Sequence, residues 1–410
     1  MTEADARAVL HRFGEFADQF AVCFGRHVQR DAASRYLRGL VNDSARKSMQ
    51  AMHGRLSDAG SYQALQHFIT DSPWAVAPMW RRLHALIPDR GGILAVDDTG
   101  FPKQGAQSVG VKRQYCGALG KTGNCQVGVS TALIGPTVMW PMSCELYLPA
   151  EWASDPDRRE RARVPSTVRF REKWRIALAH IRAVQTAGFA IDAVVADADY
   201  GTTTAFRTGL ERLGLRYAVA VRGLLHAWAP GATAACSLET LGRALPRQAW
   251  RTVTWGAGTK GPLAARFVAR RVRLRHGRGE RWVLFERSLA DDTRKYYVLN
   301  LDATESLKRL VRVARSRWPI EQQYRELKDE LGLDHFEGRT YPGWAHHTVL
   351  TAAAFTFLQL ERLRSPDTPR PTLPAVRAWM REIVALQYLV GNRQLFNLAL
   401  SFQRNPPLRR

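Results

Sequence analysis

Apolar residues recur at three- and four-residue spacing through residues 17–41, "ADQFAVCFGRHVQRDAASRYLRGLV", and through 62–87, "YQALQHFITDSPWAVAPMWRRLHALI". That period predicts amphipathic helices over residues 1–88. The pattern changes at Gly91. "GGILAVDDTGFPK" is a short β-branched run bounded by glycines, and it breaks off in two aspartates. A buried strand that delivers carboxylates to its end has this form. "CQVGVSTALIG" and "TVMWPMSCELYL" follow as neighbouring strands of a meander. A helix is predicted over "REKWRIALAHIRAVQTAG", closed by Gly188. It leads into "FAIDAVVADADYG", a second buried strand ending in acids.

From about 217 to 302 the period falls to two. In "ARRVRLR", Val272 and Leu274 alternate with Arg271, Arg273 and Arg275, and "RWVLFE" and "KYYVLN" continue the alternation. Residues 303–362 return to helix, including one run across "RWPIEQQYRELKDELGLD" (317–334) and a broad apolar face in "HHTVLTAAAFTFLQLERLR". "RSPDTPRPTLP" reads as a proline-rich linker, "VRAWMREIVALQYLV" as a closing helix and "NPPLRR" as a loose tail. The expected organisation is α/β, in five regions: helical 1–88, a core in two parts (89–216 and 303–362), a β-rich insertion at 217–302, and a helical end with tail at 363–410.

Composition narrows the partners. With 45% hydrophobic residues in 410, the chain can bury substantial cores. It has no run of about 18 apolar residues, and its N-terminus mixes charges into its apolar positions, so a cytoplasmic protein is expected rather than a membrane or secreted one. The five cysteines (Cys23, Cys116, Cys125, Cys144, Cys236) are odd in number and scattered, which argues against a disulfide framework. The Cys116/Cys125 spacing fits no common zinc motif.

The 60 Lys+Arg outnumber the 37 Asp+Glu, giving a net charge of +23 that calls for a polyanionic partner. Nucleic acid is favoured over membrane, because no basic helix carries a bulky apolar face. Arg271, Arg273 and Arg275 would form a phosphate-facing row on the insertion sheet, or an edge protected by charge. The arginines spread through residues 26–55 suit a helical DNA-binding module, or an ordinary cap with a basic surface.

The acids supply the chemistry. Asp97 and Asp98 end one strand, Asp197 and Asp199 end another, and Glu321 opens a late helix. Strand-end aspartates often only cap turns or helices. Three carboxylates drawn from two strands and a helix can also hold two magnesium ions about 3.5–4 Å apart, for the attacking and leaving oxygens of a phosphodiester. Hard oxygen ligands suit Mg²⁺ or Mn²⁺. Whether Asp97 or Asp98 serves depends on strand register, since adjacent residues face opposite sides.

On these residues the sequence resembles the DDE-superfamily transposases of bacterial insertion sequences. One group of that family has a third motif Tyr-x2-Arg-x3-Glu-x6-Lys, and Arg317, Glu321 and Lys328 stand at its last three places, with Ala314 at the tyrosine place. "VVADADYG" puts Asp197 and Tyr200 on the second motif, and "LAVDDTG" puts Asp97, or Asp98 after a shift of one, on the first. Residues 317, 321 and 328 fall within about 60° on a helix, so one margin could present all three.

The resemblance implies an RNase H-like catalytic core interrupted by the β-rich insertion, with a helical N-terminal DNA-binding module. It implies cut-and-paste transposition, in some relatives through hairpin intermediates, with Mg²⁺ or Mn²⁺ held by Asp97, Asp98, Asp197 and Glu321. Double-stranded DNA (terminal inverted repeats and target) would be the partner, in a dimeric synaptic complex at the nucleoid. Arg317 and Lys328 would hold phosphates, and Lys103, Lys112 and Arg113 would assist. Trp250, Trp255 and Trp282 are the candidates for stacking on a flipped base, against ordinary core packing. His346 and His347, near a helix start, suggest a cap or a DNA contact. A catalytically idle DNA-binding regulator and a host RNase H-like nuclease are the rival functions.

Overall fold

The computed structural model describes residues 3–391 apart from 57, 59, 259–260, 276–278 and 366–368; the "NPPLRR" tail lies outside the described residues. The expected N-terminal helices are α1 (Glu3–Asp18), α2 (His27–Val41), α3 (Met49–His53), α4 (Tyr62–Thr70) and α5 (Val76–Leu86). Ser48 and Ser61 cap α3 and α4 by accepting from the amides of Ala51 and Ala64.

The chain then enters β1 (Gly91–Pro102), β2 (Lys112–Cys116), β3 (Lys121–Ile134) and β4 (Met139–Leu146). Short helices α6 (Ala150–Ala153) and α7 (Pro156–Arg161) precede α8 (Lys173–Thr186). Gly188, at φ +82°, turns the chain into β5 (Ala190–Ala196). Next come α9 (Ala198–Gly201), α10 (Thr204–Arg212) and β6 (Tyr217–Val221).

Beyond them lie β7 (His226–Trp228), β8 (Cys236–Ser237), α11 (Leu238–Arg243), β9 (Arg251–Gly258), β10 (Gly261–Leu274), β11 (Glu280–Arg287) and β12 (Arg294–Leu299). The chain closes with α12 (Leu307–Ala314), α13 (Pro319–Asp329), α14 (Tyr341–Arg364) and α15 (Leu373–Gly391).

One mixed sheet unites all the strands of the described residues. Its central order is β4-β3-β1-β5-β6, with β3 antiparallel to β1, and with β5 and β6 parallel to β1. Residues 217–302 do not make a sheet of their own. β6 is a parallel neighbour of β5, and β12 pairs with its free edge, followed by β11 and β10. Continuation satisfies backbone groups that a bare β6 edge would leave open.

The two faces of β1 serve different cores. Leu94 and Val96 pack with Ile176 and Ile181 of α8 and Phe206 of α10. Ala95 packs on the other side with Leu310 and Val311 of α12 and Ile320 of α13. A third core joins the N-terminal helices to α14: Phe13 meets Phe357 edge-on at 4.9 Å, and Tyr36, Leu40 and Phe68 share the cluster with Phe355 and Leu358.

His346 and His347 belong to this seam. They lie inside α14, at 2% and 1% exposure, so neither caps the helix nor meets DNA. His346 reaches the carbonyls of Ile69 (2.7 Å) and Trp74 (2.8 Å) and stacks on Trp74, while His347 bonds the Tyr36 hydroxyl (2.8 Å) and the Gly332 carbonyl (3.0 Å). Inside a helix with no solvent face, their ring nitrogens must find protein partners.

Gly201 is where α9 touches β6. A Cβ there would lie 1.9 Å from the Ala220 carbonyl oxygen and 2.9 Å from Val219 Cβ. Gly201→Ala is therefore expected to cost about 3 kcal/mol through overpacking, read as a lowered midpoint in urea unfolding; an unchanged midpoint would show that α9 can move aside freely.

A candidate carboxylate centre at the strand ends

The parallel register aligns Val96 with Ala196, so the next residues, Asp97 and Asp197, stand side by side at the ends of β1 and β5. Asp97 continues the Ala95 face and points toward α13, whereas Asp98 turns to the α8 face. Their partners differ accordingly. Asp98 accepts from Lys173 Nζ of α8 at 2.6 Å and from the Tyr200 hydroxyl. Asp97, only 8% exposed, is paired with the Arg317 guanidinium.

Asp197 caps α9, its Oδ1 accepting from the amides of Asp199 (3.0 Å) and Tyr200 (3.2 Å). Tyr200 thus links the two strands: its amide holds Asp197, its hydroxyl holds Asp98, and the Asp98 amide donates to Asp97 Oδ1 at 2.9 Å. The second motif's aromatic is a cross-brace between carboxylates.

The helix expected from residue 317 begins instead at Pro319, which suits a first helical position because its missing N–H has no partner to lose. Arg317 lies in the preceding turn and Glu321 in the first helical turn. From the turn, the guanidinium pairs with Asp97 through Nη1 and with Glu321 through Nη2. Lys328 does not share that margin. It turns inward, its Nζ donating to the Gly100 carbonyl of β1 at 2.8 Å, and burial draws its pKa down.

Burial pushes the Asp97 carboxyl up to about 7 despite the opposing Arg317 charge, with Asp197 and Asp98 adding to the rise. Asp197 is also raised, by burial first and then by Asp199 and Asp98. Burial lowers Lys173, but its Asp98 partner more than offsets this and holds it above its ordinary value. One guanidinium leaves the Asp97–Asp197 corner short of positive charge.

Beside the centre lies a cavity of about 580 Å³ lined by Asp197, Arg317, Trp318 and Glu321 together with Arg222, Arg294, Lys295 and Arg315. Asp97 is not on its wall; Arg317 is. Ala314 is also on the wall, where a tyrosine ring would take up part of the volume. Trp318, passed over in the sequence because it adjoins a motif residue without belonging to it, is 56% exposed here. An exposed tryptophan beside cations and carboxylates is a surface on which a base could stack.

The other candidates are elsewhere. Lys103 Nζ donates to the Phe336 carbonyl at 2.6 Å, Lys112 pairs with Glu151 at 2.9 Å, and Arg113 is exposed on β2. Arg271, Arg273 and Arg275 lie on or just past β10, four strands from β5. Arg271 is engaged by Glu280 and Trp282, Arg273 lies over Trp228, and Arg275 lines a separate cavity with Arg207, Arg222 and His226. Trp250 packs on the core, Trp255 packs against Phe267 under Arg315, and Trp282 donates to the Asp302 carbonyl.

Between the ordinary aspartate range, about 4, and about 7, folded Asp97 binds a proton that the unfolded chain has lost. Stability of the metal-free chain should therefore fall as pH rises through that window, by on the order of 4 kcal/mol. Thermal melts at pH 5 and pH 8 read this slope, and Asp97→Asn should flatten it; a slope equally steep in the variant would assign it to other groups.

The sequence was also compared with known proteins. Residues 19–262, more than half of the chain, match the DDE superfamily endonuclease family, and residues 171–357 match the transposase DDE domain. The first span contains Asp97, Asp98 and Asp197, and the second contains Asp197 and Glu321. Over 196 residues the chain is 33% identical to the probable transposase for insertion sequence element IS701 of Microchaete diplosiphon, a match covering 46% of this chain and 48% of that protein. The chain thus spans about half the length of the curated relative it matches. With Asp97 and Asp197 at the ends of two parallel strands, and with the family match running across both and over more than half of the chain, this chain belongs to the DDE superfamily of endonucleases.

Proposed function

We propose that the chain is a DNA transposase that binds the ends of its insertion sequence, cuts them and joins them to target DNA by in-line phosphoryl transfer. The observation that carries this reading is the pairing register that sets Asp97 beside Asp197 on the side where α13 supplies Glu321. The β4-β3-β1-β5-β6 order supports an RNase H-like core beneath it.

Among the described residues, no three His, Cys, Asp or Glu side chains stand ready around one metal position, and the Arg317 fork pairs with both Asp97 and Glu321. The donor chemistry nonetheless suits a hard divalent cation: the donors are carboxyl oxygens, and a bound cation would hold Asp97 and Asp197 in their ionised form against the burial that raises both. Asp97, Asp197 and Glu321 are the residues that would hold Mg²⁺ or Mn²⁺, which supplies Lewis-acid activation of the attacking and leaving oxygens.

The protein's own part is positioning. Lys173 and Tyr200 fix Asp98, whose amide orients Asp97; the α9 amides orient Asp197; and Arg222, Arg294 and Lys295 draw the phosphodiester into the cavity. Trp318 offers a face to an unstacked base at the cut. Two ends must be held together for transfer, so the active species is a dimer on DNA.

Purified chain with Mg²⁺ and a duplex carrying the inverted repeats that flank its gene should give strand cleavage. Asp97→Ala, Asp197→Ala and Glu321→Ala should each reduce cleavage to background while retaining binding in a gel-shift assay. Asp98→Asn should retain a measurable fraction. Bound repeats without any cleavage by the unaltered chain would overturn the reading in favour of a non-catalytic regulator, and equal cutting of unrelated duplexes would indicate a general nuclease.

A further inference from the structure

Arg317 is arranged in a way that a simple phosphate contact does not require. Its Nη1 pairs with Asp97 of β1 and its Nη2 with Glu321 of α13, and Asp197 contributes to the field that favours its charge. It lines the cavity while Asp97 lies behind it. The guanidinium thus holds the interior position between two acids from different elements.

The same planar fork binds carboxylate and phosphate with equivalent two-pronged geometry, so a change of partner preserves its hydrogen bonding. Arg222, Arg294 and Lys295 line the same cavity and favour entry of a phosphate within reach of Arg317. Asp97, only 8% exposed, shares its one guanidinium with Glu321, so a divalent ion is the better counter-charge once the guanidinium leaves.

We propose that Arg317 is an exchangeable counter-ion: in the DNA-free chain it occupies the space between Asp97 and Glu321, and an entering DNA phosphate draws it off, completing the carboxylate set for a divalent cation. Metal and DNA therefore bind cooperatively, each strengthening the other by the same factor. The inference rests on the metal-dependent reading above and adds an order to it, in which DNA prepares the centre. Arg317 acts as a positioning residue in this scheme.

Mn²⁺ binding to the metal-free full chain, followed by electron paramagnetic resonance, tests this without any turnover. The unaltered chain should bind Mn²⁺ weakly alone and about tenfold more tightly with a short duplex. Arg317→Gln should bind Mn²⁺ about tenfold more tightly than the unaltered chain without DNA, and gain less than about twofold from the duplex. Should Arg317→Gln fail to fold by circular dichroism, Arg317→Lys takes its place with the same direction expected, because one ammonium lacks the fork that spans both acids.

Arg317 variants that bind Mn²⁺ no more tightly than the unaltered chain, or that gain as much from DNA, would overturn the exchange. Asp197→Asn separates the two readings. If it abolishes Mn²⁺ binding that is indifferent to Arg317, the metal centre stands and the exchange fails. If it changes nothing in any arm, the metal reading fails as well.

Discussion

Carboxylates brought together at the ends of buried strands repel one another, and some positive charge has to hold them there. In this chain Arg317 meets that constraint at the junction of β1 and α13, pairing with Asp97 and Glu321 together. Much of the surrounding structure is arranged to keep the acids in place. Lys173 anchors Asp98, Tyr200 bridges Asp98 to the Asp197 loop, and Asp197 is bound by the first amides of α9. Buried like charges of this kind are retained where function needs them, since apolar residues of similar volume would be at least as stable.

The backbone beneath is correspondingly stiff. β1 is flanked by β3 and β5 and covered on both faces, so neither aspartate can shift without disturbing a core. The sheet runs on through β6 and β12 into the strands of residues 217–302, so Arg294 and Lys295 are fixed relative to Asp197 by hydrogen-bonded neighbours and not by a loop. Arg294 and Lys295 of the cavity wall therefore stand on a strand, whereas Arg222 follows the end of β6 and Arg315 lies in the turn after α12.

Much of this was legible in the sequence. Two short apolar runs ending in acids marked β1 and β5 because fully buried strands have that composition, and the net charge pointed to a polyanion. Which of Asp97 and Asp98 faces α13 is not legible there, since it depends on which helix covers each face of β1. Lys328 and Glu321 share a helical margin by spacing, yet Lys328 reaches inward to Gly100, because β1 offers a carbonyl that periodicity cannot show. Trp318 belongs to no motif, and only the turn before Pro319 sets its exposure. The basic row Arg271, Arg273 and Arg275 was read correctly as an alternating face, but its distance across four strands from the acids is a property of topology.

The seam between the N-terminal helices and α14 bears on how such a chain can diversify. Phe13 meets Phe357 and Tyr36 bonds His347, each more than 300 residues away along the chain, and His346 ties the α4 end to the first turns of α14. A recombination event that imported a foreign stretch of residues 1–88 would leave the buried length of α14 facing the wrong partners. The first helices and α14 are therefore one packing unit, in which exposed positions can change singly but buried ones only together with their partners across the seam.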